Sequence, residues 1–153
     1  MSALVDRALD AAGLSAFLEA RCTDRLDAGD IERLHRADLL ALGALADRVR
    51  ASEVGDEVRI FTQTAAEDAG AVVLPRMKAD VTGLELLREV AIARITGPRA
   101  GRVRVDWTRA GLELAQVALG FGANELCGFI ANKRGLPMAE GEMLGVVGKK
   151  SRL

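Results

Sequence analysis

At 153 residues the chain is long enough for one domain with a sizeable core, and too short for a complete eight-stranded (β/α) barrel, which takes about 250 residues. Its 21 basic and 22 acidic side chains leave a formal charge of −1, which argues against a general nucleic-acid binder and does little to oppose self-association. Half of the residues are hydrophobic but only 3% are aromatic, so Leu, Ala and Val must build the core.

The first third reads as helices. Residues 3–12 place Leu4, Val5, Ala8 and Leu9 on one face, and Gly13 is a natural stop. A short helix over 15–21 takes Ser15 as its N-cap. Asp27 or Asp30 caps a third, with Ile31 and Leu34 as its apolar side. Asp38 caps a fourth, where Leu39, Leu42, Leu45, Ala46 and Val49 recur at helical spacing. Its leucine face is expected to pack on a sheet and cover one end of it. Gly55-Asp56 closes this helical prefix, residues 1–54.

Strand patterns follow. "EVRIFTQ" (57–63) alternates and is β-rich, and "AVVLP" (71–75) is a short second strand after the loop "TAAEDAG". Thr82 and Glu85 have capping-box spacing before "LELLREVAIARI", a helix expected to bury Leu84, Leu87, Val90, Ala91 and Ile95. "GRVRVDW" (101–107) sets Val103 and Val105 against Arg102 and Arg104. Thr108 caps a helix over 109–119 that carries Leu112, Ala115, Gln116 and Leu119, and a fourth strand covers 123–127. Residues 129–153 read as an irregular tail ending in "KKSRL", a solvated basic end. Strands alternating with helices indicate βα units in a parallel sheet. The expected fold is therefore α/β: one domain, with a helical prefix and a partial (β/α) barrel-like sheet of three or four strands over 55–128. Such a sheet leaves open edges, which points to a homodimer.

Cys22 and Cys127 are too far apart in sequence for a metal or redox motif, and with His35 as the lone histidine a zinc site is not expected. His35 lies among charges and reads as a surface residue. The charged N-terminal segment reads as neither a leader nor a membrane span, so the expectation is a cytoplasmic protein with no membrane contact. No phosphate-binding loop, zinc-protease motif or nucleophile–base pair is present, and no catalytic residue or cofactor is assigned.

Two stretches resemble the radical S-adenosylmethionine enzymes of the futalosine route to menaquinone, aminofutalosine synthase and dehypoxanthine futalosine cyclase. Leu42, Leu45, Ala46, Val49, Arg50, Gly55, Asp56 and Val58 match the helix and turn that lead into that family's first barrel strand. Ala91, Ala93, Arg94, Trp107, Gly111, Gln116, Gly122, Ala123 and Asn124 match the later part of the barrel, with Glu125 in place of an aspartate. The resemblance covers about two thirds of the chain. It departs where the family's C-x-x-x-C-x-x-C cluster motif belongs: "TQTAAEDAGAVVLPRM" has no cysteine. Without three thiolates the [4Fe–4S] cluster has no protein ligands, and the radical chemistry does not carry over. The resemblance implies a truncated, non-catalytic relative acting as a binding or accessory protein, with a menaquinone-pathway enzyme as partner.

The candidate ligand-binding residues are Arg94, Trp107, Gly122, Asn124 and Glu125. Each has a second reading. In "GFGANE" (120–125), Gly120 and Gly122 either admit a ligand to the backbone or simply cap a helix, while Asn124 and Glu125 bind a polar group or tie the loop. The resemblance places this turn at the carboxyl edge of the sheet. Arg94 binds an anion or pairs with an acid such as Glu113 or Asp106. Trp107 stacks on a ligand ring or fills the core. Cys127 reads as a small buried residue. A small enzyme using Glu125, Asp106 or Arg94 in a residual cleft, and a purely structural or oligomerisation module, are the alternative functions.

Overall fold

A computed structural model describes residues 3–23, 25–61, 72–73 and 82–129. The expected tail beyond Phe129, the loop over 64–70 and the outer parts of the first two strands lie outside the described residues. In chain order the elements are α1 (Ala3–Ala11), α2 (Ser15–Cys22), α3 (Ala28–Arg36), α4 (Leu39–Val54), β1 (Arg59–Phe61), β2 (Val72–Val73), α5 (Gly83–Thr96), β3 (Arg102–Asp106), α6 (Trp107–Ala110), α7 (Leu112–Leu119) and β4 (Glu125–Cys127). The fold is mixed α/β and mostly helical.

Local chemistry starts these helices. Asp27 accepts from Asp30 N–H while the Asp30 carboxylate accepts from Asp27 N–H, so both candidate caps of α3 act together. Asp38 caps α4, and Thr82 with Glu85 forms a second capping box on α5. The Thr82 bonds hold the Glu85 carboxyl below its usual range. Two expected caps are corrected. Ser15 is the first residue of α2 rather than its cap, and its hydroxyl bonds Asp10 instead. Asp106, not Thr108, caps the helix after β3, accepting from Thr108 N–H at 2.8 Å. The helix expected over 109–119 is also broken in two at Gly111.

The described strands form one parallel sheet in the order β1-β4-β3-β2. Among the described residues the first strand lies beside the last. Val103, Val105 and Leu126 turn to one face, where Leu86, Leu87 and Val90 of α5 and Ala115 and Ala118 of α7 cover them. A second core lies outside this layer. It joins Leu42, Leu45 and Ala46 of α4 to Ala91, Ile92 and Ile95 of α5, and to Leu9, Leu14, Phe17 and Leu34 of the prefix. The leucine face of α4 thus packs on α5 and the prefix helices rather than on the sheet. α5 is buried on two sides, which explains why its apolar positions run nearly all the way round. Burying each of these leucines contributes roughly 1.5–3 kcal/mol. Leu84 is the exception: expected inside, it is 67% exposed, and Leu86 takes the inward position. Ile31, Leu4 and Leu112, also expected on apolar faces, are exposed.

Candidate functional site

In a parallel sheet, a turn that enters a strand lies at the sheet's amino edge. "GFGANE" joins α7 to β4, so it lies there and not at the carboxyl edge, which corrects the expectation. Phe121 of this turn packs between the two cores and against Gly43 of α4. Gly122 has φ +103°, a conformation costly for any residue with a Cβ. A Cβ there would also stand 2.8 Å from the Arg94 Cβ, so only glycine fits.

Arg94 holds this edge together. Its guanidinium donates to the Gly122 carbonyl (2.7 Å), the Gly101 carbonyl (2.7 Å) and the Asn124 Oδ1 (2.9 Å). Asn124 Oδ1 also accepts from Val103 N–H at 2.8 Å, while Asn124 N–H donates to the Val103 carbonyl. One arginine therefore ties the end of α5, the start of β3 and the start of β4. Burial lowers the Arg94 pKa to about 10, so the group stays charged at neutral pH. Its partners are two main-chain carbonyls and an amide, not the acids Glu113 or Asp106. Arg94, Gly122 and Asn124, three of the five sequence candidates, thus meet in one structural clamp.

Glu125 starts β4 beside the clamp but turns to the other face of the sheet. It is 0% exposed, and Arg104, 2% exposed, donates to its Oε2 at 2.8 Å. Arg102 donates to Oε1 of the same carboxylate. The Arg104 guanidinium lies 4.1 Å from the centre of the Phe61 ring, within cation–π range. Register places Arg59, Glu125 and Arg104 in one row and Phe61, Cys127 and Asp106 in the next. So the face opposite α5 and α7 is charged. Parallel sheets are ordinarily covered on both faces by apolar contacts, and their strands read as continuous apolar runs. At the amino end of this charged face, Val54, Glu57, Arg59, Ala100, Arg102, Asn124 and Glu125 line a cleft of about 300 Å³.

Trp107 sits apart from the other candidates, at the carboxyl edge. Its indole lies against Gly128, where a Cβ would come within 2.5 Å of the ring, and its N–H donates to the Phe129 carbonyl at 3.1 Å. Cys127 is buried. Burial, with a smaller contribution from Asp106, pushes its thiol pKa up, so it stays protonated and is a poor nucleophile. His35 is exposed, as expected. Among the described residues no group of three or more His, Cys, Asp or Glu side chains is placed to hold a metal ion, and no helix is long and apolar enough to cross a membrane.

Arg102, Arg104 and Phe61 were missed as site residues. The alternation in "RVRVD" marks the two arginines as a non-core face, but their burial depends on β4, 21 residues downstream of Arg104.

No family model, curated protein or solved structure matches the chain.

Proposed function

We propose that the protein is a non-catalytic binding or accessory protein, derived from a (β/α) barrel of the menaquinone radical-enzyme kind, that takes a small anion at the charged face of its sheet. The observation that carries this reading is the Arg102–Glu125–Arg104 cluster on a sheet face that folding alone would fill with apolar side chains. An internal carboxylate holds two guanidiniums in place, and one of them, Arg102, lines the open cleft together with Arg59, a pre-organised arrangement for a ligand carboxylate. Strand order supports a barrel ancestry. β2, β3 and β4 succeed one another across the sheet and β4 meets β1, as the last strand meets the first when a barrel closes.

The chemistry supports binding over catalysis. Glu125 is held by two arginines, Asp106 caps α6, Arg94 is committed to main chain and amide, and Cys127 is a protonated thiol. The stretch that aligns with the cluster motif offers no thiolate. In this reading the protein works in the cytoplasm, and its partner is one of the menaquinone radical enzymes.

The test has two arms. Anaerobic reconstitution with iron and sulfide should leave the protein colourless and S-adenosylmethionine uncleaved. Benzoate, a probe anion with a carboxylate and a ring, should bind saturably by calorimetry, and Arg102→Met, which removes a guanidinium lining the cleft and leaves Glu125 paired with Arg104, should abolish that binding. A four-iron spectrum with turnover would overturn the non-catalytic reading, and benzoate heats unchanged by Arg102→Met would remove the site. Co-elution with purified aminofutalosine synthase tests the partner.

A further inference from the structure

The outer edge of β1 supports an inference independent of the ligand. Arg59 donates its main-chain N–H to the Asn124 carbonyl (3.1 Å), and the Phe61 carbonyl accepts from Gly128 (3.2 Å). Both residues therefore turn their main-chain groups toward β4. Alternation along the strand turns those of Val58 and Ile60 the other way, to a side where no described strand lies. A strand edge of this kind is a template for pairing with another chain. The side chains agree. Val58, just before β1, is 41% and Ile60, within it, 54% exposed, two apolar residues at alternate positions of the edge segment. On the opposite face Glu57 and Arg59 are exposed and pair with each other at 3.1 Å.

The order Glu57-Val58-Arg59 is its own complement in one antiparallel register. With Val58 opposite Val58 across a twofold axis, Glu57 of each copy faces Arg59 of the other. A slip of one residue sets Arg59 against Arg59, and like charges directly opposite are unfavourable. The next slip, centred on Ile60, sets Arg59 against Phe61 and leaves Glu57 without its cation. We propose that the chain forms a twofold homodimer through antiparallel pairing of its β1 edges, each lengthened by Glu57 and Val58, with Val58 on the axis and two Glu57–Arg59 pairs across it. A second copy is the occupant because the strand supplies both charges of the pair, so no foreign sequence is needed. Ile60 of each copy then packs diagonally against Val58 of the other, and one sheet runs through both protomers. The interface is small, so the dimer dissociates on dilution.

Sedimentation of the whole chain over a range of concentrations tests this. Wild type should approach twice the 16.2 kDa chain mass at high concentration and fall to the chain mass on dilution. Glu57→Arg and Arg59→Glu should each raise the dimer dissociation constant about tenfold or more. Both changes lie on exposed side chains, and circular dichroism should show an unaltered fold. The combined Glu57→Arg/Arg59→Glu chain should dimerise again, and an equimolar mixture of the two single variants should form the heterodimer. A wild-type monomer throughout would leave the edge to a foreign strand and overturn the proposal. So would a dimer indifferent to both single changes, which would place the interface elsewhere. Glu57 and Arg59 also line the cleft, so benzoate binding is read from Arg102→Met and sedimentation from the Glu57 and Arg59 variants, and the two proposals fail separately.

Discussion

Arg94 and Arg104 are both buried, and both lie in the sheet region, yet they hold different things. Arg94 spends its guanidinium on two main-chain carbonyls and one amide oxygen, groups that the fold itself must satisfy. Arg104 spends its own on a carboxylate and the face of an apolar ring, side chains rather than main-chain groups. Removing the first strands the Gly122 and Gly101 carbonyls and takes one of the two donors from Asn124 Oδ1. Removing the second together with its carboxylate leaves only Arg102 without that carboxylate, and Arg102 is partly exposed, while an apolar pair can take the buried space. The amino edge is thus part of the fold's construction, whereas the buried charges of the other face satisfy one another and not the main chain. A buried arginine is informative about function only once its partners are known.

Arg94→Met probes the structural side of this contrast and should have the largest effect, a loss of about 3–5 kcal/mol, since each stranded buried acceptor costs about 1–3 kcal/mol. Urea titration reads it. Arg94→Lys should recover little, because one ammonium cannot reach three acceptors in the directions a planar guanidinium serves. Leu42→Ala, in the outer core, should cost ~2–5 kcal/mol; a loss below about 1 kcal/mol would mean that α4 is not held against α5. Gly122→Ala should cost about 1–3 kcal/mol through its backbone conformation, with a further loss where the new Cβ meets Arg94. Leu84→Ala should change stability by no more than about 0.5 kcal/mol, a value that would be impossible were Leu84 in the core.

Much of this was legible in the sequence, and the misses have physical causes. The caps at Asp38 and Thr82 are local: each needs only a side chain and an amide three residues on, so spacing reveals them. The strands were legible for the same reason, through alternation. Leu84 was misjudged because α5 is apolar on two sides, and its pattern does not reveal which turn enters the core first. The break at Gly111 was hidden because "WTRAGLELAQ" carries helical spacing across it, while Asp106 offered an earlier cap. The edge assigned to "GFGANE" was a different kind of error. A loop that leads from a helix into a parallel strand lies at the amino edge by topology alone. The resemblance to a barrel family drew the turn to the edge where such enzymes bind substrate. Asn124 bonded to backbone was legible, whereas its sharing by Arg94 and Val103 was not, because it joins three elements. Glu125 was named as a candidate, but its two arginine partners come from another strand.

The most direct measurement is urea unfolding of Arg104→Met/Glu125→Met beside Arg94→Met. If the charged face is kept for function, the double substitution should leave stability within about 1 kcal/mol of wild type or raise it, while Arg94→Met loses several. A double variant that loses as much as Arg94→Met would mean that the Arg104–Glu125 pair is itself part of the fold's framework, and the charged face would then give no indication of a binding role.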